Sequence, residues 1–93
     1  MLCICPVCGY DNLEQPPFSS SGFPTYETCS CCGFEFGFTD ESEKWTYEAY
    51  RERWIQEGCF FKYAPDRPKN WSVEQAMLQL HNLERVKHFV PRK

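Results

Sequence analysis

The pattern of apolar and polar positions predicts two helices in the second half of the chain. The aromatic residues of the first helix recur at helical spacing and share one stripe: Tyr47, Tyr50 and Trp54. Asp40, followed three residues later by Glu43, forms a capping-box pattern at its start, and Gly58 is a typical stop. We therefore predict a first helix over residues 40–58, with Trp45 on a nearly opposite face.

A second helix is predicted over residues 72–88, where Ser72 and Gln75 form another capping-box pattern. Apolar residues at helical spacing make one stripe along it: Val73, Ala76, Met77, Leu80 and Leu83. Pro91 cannot continue this helix without cost, and residues 89–93 form a basic tail.

An aromatic loop with two prolines, residues 59–71, joins the two helices. We expect the helices to pack on each other or on the first half of the chain through Trp54, Leu80 and Leu83.

Residues 1–39 are predicted to form a ribbon of loops around a short hairpin. Residues 11–24 hold three prolines, three serines and a glycine, which is typical of a long loop. Phe34, Phe36 and Phe38 alternate along the chain, so they would share one face of a β-strand.

The predicted ribbon contains two cysteine motifs whose spacing indicates metal binding. The first motif reads Cys5-Pro6-Val7-Cys8-Gly9-Tyr10, and the second reads Cys29-Ser30-Cys31-Cys32-Gly33-Phe34. Each has two cysteines separated by two residues and followed by glycine and an aromatic residue, and 20 residues lie between Cys8 and Cys29. This is the spacing of a structural zinc site, because a C-x-x-C turn brings two sulfur atoms within reach of one ion.

We therefore predict one Zn²⁺ ion bound by four thiolates: Cys5, Cys8, Cys29 and Cys32. Iron in a rubredoxin-like site is the less favoured alternative. The predicted fold class is a small α+β metal-stabilised domain, in which a rubredoxin-like zinc ribbon with two knuckles and a short β-hairpin precedes two α-helices. With 93 residues the chain forms one domain, and a metal ion helps so small a core.

Three cysteines remain outside this set. Cys3 and Cys31 have the wrong spacing for a knuckle and are interpreted as spare thiols, although they could join a larger cluster or tune redox sensitivity. Cys59 is interpreted as a small buried apolar group. The odd count of seven cysteines disfavours a disulfide framework, and the first residues lack a basic secretory n-region. We expect a reducing cytoplasmic location and no membrane association.

The two motifs, together with Trp54-Ile55-Gln56-Glu57-Gly58, resemble small bacterial cysteine-rich proteins of the CPCC type, whose knuckles read C-P-x-C-G-[YF]. The resemblance covers roughly residues 3–58, and the second knuckle departs from it at Ser30 and Cys31. It implies a zinc ribbon and a role as an immunity or accessory protein of a bacterial toxin system.

The function predicted from these features is a non-catalytic protein-binding module, with a toxin as one candidate partner. No catalytic constellation stands out around His81 or His88, and aromatic residues make up 17% of the chain, which suits an interface. The candidate partner-binding residues lie on the acidic first helix and in the aromatic loop: Trp45, Glu48, Glu52, Phe60, Phe61 and Trp71.

Two alternatives stay open. The first is a nucleic-acid-binding zinc ribbon that uses Arg51, Arg53 and the basic tail, although the net charge of −3 disfavours it. The second is a thiol redox or metal-responsive protein that uses Cys3 and Cys31.

Overall fold

Two short α-helices follow a cysteine-bearing half that has little regular structure. The computed structural model describes residues 3–84. Helix α1 spans Tyr47–Gln56 and helix α2 spans Val73–Gln79. Short 3₁₀ turns lie at Ala64–Asp66 and Leu80–Asn82, the second of them continuing directly from α2.

The predicted start of the first helix near Asp40 is wrong. Thr46 caps α1, and its side-chain oxygen accepts a hydrogen bond from the backbone N–H of Ala49 at 3.0 Å. The Asp40 carboxylate instead accepts a hydrogen bond from the Gly37 N–H at 2.7 Å within a run of turns. Lys44, with φ at 65°, interrupts any helix between Asp40 and Thr46, because the left-handed conformation cannot continue a right-handed helix.

The other helix signals agree with the structure. Gly58 follows α1 with φ at 96°, which suits a helix stop. Ser72 caps α2, and its hydroxyl oxygen accepts from the Gln75 N–H at 3.2 Å. Residues 85–93, which hold the end of the predicted second helix and the basic tail, lie outside the described residues.

The apolar stripe predicted for the second helix is buried only in part. Ala76 is fully buried and Leu80 and Leu83 are half-buried, but Val73 and Met77 are exposed. The backbone of Gln79 and Leu80, at the end of α2, lies against Gly9 of the first knuckle.

The predicted hairpin is not confirmed, since residues 3–84 contain isolated bridges and no β-sheet. One bridge, between Thr28 and Glu35, flanks the second knuckle. Phe34 and Phe36 are buried as predicted, but Phe38 is 45% exposed, because the chain turns over residues 36–42 instead of continuing as a strand.

The core is built from cysteines and aromatic residues. Its largest fully buried side chains are Trp54, Phe34, Phe36, Leu13 and Val7, together with six of the seven cysteines. Within residues 3–84 the backbones of the two α-helices do not approach each other closely, and each helix bonds to the cysteine-bearing half. Of the two arrangements that the sequence predicted, the structure thus has the second.

Candidate metal centre

The two cysteine knuckles fold in the same way. The Cys5 N–H donates to the Tyr10 carbonyl at 2.7 Å, and the Gly9 N–H donates to the Cys5 carbonyl at 2.9 Å. The second knuckle repeats these two bonds, at 3.0 and 2.9 Å, between its corresponding residues: Cys29, Gly33 and Phe34. Gly9 has φ at 86° and Gly33 at 83°, where a side chain would be strained.

The knuckles bring together the four cysteines that the sequence singled out. The sulfur atoms of Cys5, Cys8, Cys29 and Cys32 all lie within 4.8 Å of one another. Cys5 Sγ is 3.9 Å from Cys32 Sγ, and Cys8 Sγ is 3.6 Å from Cys29 Sγ. Tetrahedral zinc with Zn–S bonds of about 2.3 Å places its sulfur ligands about 3.8 Å apart. The cluster is therefore compatible with a tetrathiolate metal site.

The buried thiols of this cluster do not ionise alike. Burial, together with hydrogen bonds to neighbouring thiols, raises the pKa of Cys8 and of Cys32 well above its usual range. Burial opposes ionisation of Cys29 too, but hydrogen bonds from Cys32, Cys5 and Cys8 outweigh it and hold the pKa of Cys29 well below its usual range. Burial thus opposes ionisation of Cys8 and Cys32, and a positive ion among the sulfurs would favour their thiolate forms.

Helix α1 holds both knuckles through side-chain donors. The Arg51 guanidinium donates to the Val7 carbonyl and, at 3.0 Å, to the Pro6 carbonyl, both in the first knuckle. The Tyr50 hydroxyl donates to the Cys32 carbonyl at 3.0 Å in the second knuckle. The sequence analysis named Arg51 only in the nucleic-acid-binding alternative, so its contact with the first knuckle was missed.

Helix α2 and the 3₁₀ turn that follows it also donate hydrogen bonds to the first knuckle. Gln79 Nε2 donates to the Cys8 carbonyl at 3.0 Å, and Asn82 Nδ2 donates to the Gly9 carbonyl at 2.9 Å. A Cβ atom on Gly9 would collide with the Gln79 carbonyl, so the helix lies directly on the glycine. The sequence signal for these two contacts is weak: two amide residues three positions apart, beside an apolar stripe.

The remaining cysteines differ in their surroundings. Cys31 is fully buried beside the four-sulfur cluster, and Cys59 is buried as predicted, with its pKa raised by burial and by Cys31. Cys3 is half-buried and pairs with Leu13 through backbone hydrogen bonds of 2.8 and 3.0 Å. All seven cysteines are free thiols in this structure.

Five of the six candidate partner-binding residues line two separate grooves. Trp45 and Glu48 line a groove of about 340 Å³, together with Phe18, Tyr47 and Asp40. We call this groove the acidic groove, because three acidic residues line it: Asp40, Glu41 and Glu48. Glu52 is exposed on α1 but does not line it.

The second groove, which we call the aromatic groove, is lined by Phe60, Phe61 and Trp71 and has a volume of about 410 Å³. Phe61 packs edge-on against Trp71 with ring centres 5.2 Å apart, and Trp71 Nε1 donates to the Cys59 carbonyl at 2.9 Å. These three aromatic residues are half-buried, so they stabilise the loop as well as lining a surface.

The arginines suggested for nucleic-acid contact are engaged within the protein. Arg51 bonds to the first knuckle, and the Arg53 guanidinium lies 4.7 Å from the ring centres of Trp45 and of Tyr50. Such contacts are cation–π interactions, which hold the arginine against the core. Across residues 3–84, no helix combines the length and apolar content needed to cross a bilayer.

Comparison with known proteins shows similarity to a protein of Bacillus subtilis. The chain is 28% identical over 79 residues to the uncharacterized protein YoaQ of Bacillus subtilis (strain 168), in an alignment that covers 70% of this chain and 67% of YoaQ. No protein-family model matches the chain, and no solved structure matches it significantly. The resemblance to CPCC-type proteins therefore stays a prediction from the two knuckles.

Proposed function

We propose that this chain is a non-catalytic module that binds another protein and is held in shape by one structural zinc ion. The supporting observation is the closed four-sulfur cluster, whose cysteines are at most 1% exposed. Catalytic zinc sites keep an open position for water or substrate, whereas structural sites have four protein ligands and exclude solvent. A metal bound here would stabilise the fold rather than act on a substrate.

The donor set suits zinc. Four thiolates at tetrahedral spacing fit its size and its preference for sulfur, and iron can occupy the same arrangement. Backbone N–H groups also point at the sulfurs: Val7 N lies 3.4 Å from Cys5 Sγ, and Cys32 N lies 3.5 Å from Cys29 Sγ. Such donors stabilise metal-bound thiolates.

Metal analysis of the purified chain tests this part of the proposal. We expect about one zinc per chain and a colourless protein, whereas ferric iron with four thiolates is coloured. Cys5→Ser should lose most of the metal, because it removes a ligand and leaves the remaining thiolates exposed to water. Cys3→Ser, which alters a thiol outside the cluster, is the matched control and should keep its zinc. Equal metal loss in both variants would contradict the ligand assignment.

The partner that we propose is a protein with a basic surface, which contacts the acidic groove and the exposed face of α1. Glu41 and Glu48 line the groove, Glu52 is exposed nearby on α1, and Trp45 and Tyr47 supply aromatic surface. Aromatic anchors flanked by charge are typical of protein interfaces. Following the resemblance to CPCC-type proteins, we propose a toxin as the class of partner to test first.

Charge reversal distinguishes a specific acidic interface from an effect of the protein's net charge. The Glu48→Lys, Glu52→Lys double variant should associate more slowly with the partner recovered by pull-down, and its association should depend less on salt. The Asp11→Lys, Glu84→Lys double variant is the matched control, because it changes two exposed acids elsewhere by the same total charge. If both double variants bind with equal rates, or if pull-downs return only nucleic acid, the proposed interface is wrong.

A further inference from the structure

The acidic groove combines carboxylates with aromatic rings. Three acids line it beside two rings: Asp40, Glu41, Glu48, Trp45 and Tyr47. Within residues 3–84 the ion pair found joins Arg53 to Glu57, so no lysine or arginine in that part of the chain pairs with an acid of the groove. Guanidinium and ammonium groups are attracted both by carboxylates and by the faces of aromatic rings. The groove therefore suits a basic segment.

The positive charge of the chain is concentrated in residues 85–93, which read RVKHFVPRK. This segment contains none of the 13 acids but four of the ten lysines and arginines: Arg85, Lys87, Arg92 and Lys93. Residues 1–84 consequently carry a net charge of −7, against −3 for the whole chain. Opposite charges of this size attract one another over about 8 Å at physiological ionic strength. Phe89 and Val90 add apolar side chains of the kind that pack on aromatic surface.

Residues 85–93 are long enough to reach the acidic groove from the end of α2. That end lies directly on Gly9 of the first knuckle. Val7 of the same knuckle bonds to Arg51 of α1, and Glu48 of the groove lies about one helical turn before Arg51. These steps together cover about 25 Å at most. Nine residues span about 30 Å when they are extended.

We propose that residues 85–93 dock in the acidic groove of the same chain, where their cationic groups pair with its carboxylates. The aromatic groove suits this segment less, because Arg67 lines it and, among the described residues, no acid does. A basic partner at the acidic groove must therefore displace the segment. Docking of the segment, however, does not require that such a partner exists.

Zero-length cross-linking of the full chain tests the docking. A carbodiimide joins a lysine amine to a carboxylate that it contacts, so peptide mass spectrometry should find Lys87 or Lys93 joined to an acid of the groove. The yield should fall about threefold or more between about 50 and about 500 mM NaCl, because salt screens the attraction. Mixing isotope-labelled with unlabelled chains shows whether the two joined residues belong to one chain.

Two double variants show whether the charge of the segment causes the cross-links. Arg85→Glu, Arg92→Glu keeps both lysines of the segment and should lower the yield by about fivefold or more. Arg67→Glu, Lys69→Glu is the matched control, because it changes two exposed basic residues of the aromatic loop by the same total charge. It should keep the wild-type yield.

Three results would overturn the docking. Cross-links between different chains would assign the groove to a second copy of the protein. Cross-links from the segment to acids outside the groove, in equal amounts, would show that the contact is unspecific. Equal yields in the two double variants would show that the charge of the segment has no part in it.

An octa-arginine peptide gives a second test, which does not depend on where the lysines lie. This peptide competes with the segment for the acidic groove, and the two double variants have the same net charge. Arg85→Glu, Arg92→Glu should bind the peptide about tenfold more tightly than Arg67→Glu, Lys69→Glu, because the segment no longer occupies the groove. Calorimetric titration measures both Kd values, and equal values would contradict the docking.

Docking of residues 85–93 and binding of a partner are separate properties of the groove. If cross-links to the groove are absent while Glu48→Lys, Glu52→Lys still slows association with the partner, the docking alone is wrong. If the cross-links form in the wild type but that double variant associates at the rate of its control, the proposed interface is wrong and the docking stands.

Discussion

At Gly9, both the backbone and a neighbouring helix require the absence of a side chain. Its φ of 86° lies in the left-handed region, and a Cβ atom would also collide with the carbonyl of Gln79. Gly33 meets the same backbone requirement in the second knuckle, but there a Cβ would meet the flexible side chain of Lys62. Gly9 thus allows both the positive φ of its knuckle and the close approach of α2, whereas Gly33 mainly allows the positive φ.

We expect Gly9→Ala to be far more destabilising than Gly58→Ala. Gly58 also has a positive φ, at 96°, but nothing lies within 4 Å of a Cβ built there. Its substitution should therefore cost about 1 kcal/mol, from backbone strain alone. Gly9→Ala adds overpacking against backbone and should cost about 3 kcal/mol or more. Urea unfolding of the metal-loaded variants measures both, and equal losses would show that α2 does not rest on Gly9.

The thiol pKa values predict proton release when metal binds. In the metal-free cluster the raised pKa values keep Cys8 and Cys32 protonated at neutral pH, whereas metal binding needs thiolates. Binding at pH 7 should release about two protons or more, so affinity should rise with pH and fall on acidification. Calorimetric titration in two buffers with different ionisation enthalpies counts the protons. Release of less than about one proton would mean that these thiols are already ionised.

At the scale of elements, each helix contributes donors to the metal-bearing knuckles. Arg51 and Tyr50 of α1 reach both knuckles, and Gln79 at the end of α2 reaches the first. These bonds end on carbonyl groups of the knuckle turns, so they orient the sulfurs without touching them. Such outer contacts commonly change metal affinity by about 10–100-fold when removed.

Arg51→Lys tests that role. Lysine keeps the charge but not the planar fork that donates to two carbonyls at once, so it can satisfy at most part of this contact. We expect a loss of about 1–2 kcal/mol in the free energy of unfolding and roughly tenfold weaker metal binding. Arg67 is an exposed arginine that lines the aromatic groove, and Arg67→Lys is the control. It should change the free energy of unfolding and the metal affinity by little. Competition with a chelator measures the zinc affinity, and urea unfolding measures the stability. If Arg51→Lys matches this control in both, Arg51 does not support the metal site.

The sequence predicted several elements that follow from short motifs and missed features that such motifs do not reveal. The two knuckles, the Ser72 cap and Gly58 follow from short motifs, and the structure has all of them. The helix start at Asp40 failed because a capping pattern does not reveal that Lys44 adopts a left-handed backbone. The role of Arg51 was missed because an arginine on a helix face gives no sign of carbonyls 44 residues away in sequence.

The core of the whole molecule is organised around its cysteines. One buried cluster holds the aromatic side chains of Trp54, Phe34 and Phe36 together with four cysteines: Cys5, Cys8, Cys29 and Cys32. A domain of this size buries only about 60–65% of its unfolded surface, so the remaining apolar contacts give limited stability. Metal binding and folding should therefore be one process.

Chelation should unfold the helices together with the knuckles. Removing zinc with a strong chelator is expected to abolish helical circular dichroism and to shift the emission of the buried Trp54 to longer wavelength in one transition. Restoring zinc should reverse both signals. Helical signal that persists after the metal is removed would show that α1 and α2 fold without the site.

The contacts of α2 with the first knuckle also bear on the order in which the chain folds. Gln79 and Cys8 are 71 positions apart, and Asn82 and Gly9 are 73 apart. The entropy lost on closing a loop grows with its length, and contacts between distant residues slow folding. The first knuckle can form its own turn early. The carbonyls of Cys8 and Gly9, however, gain their hydrogen bonds only when Gln79 and Asn82, near the other end of the described residues, reach them. We therefore expect docking of α2 to be a late folding event, and expect mutations at Gln79 or Asn82 to speed unfolding more than they slow folding.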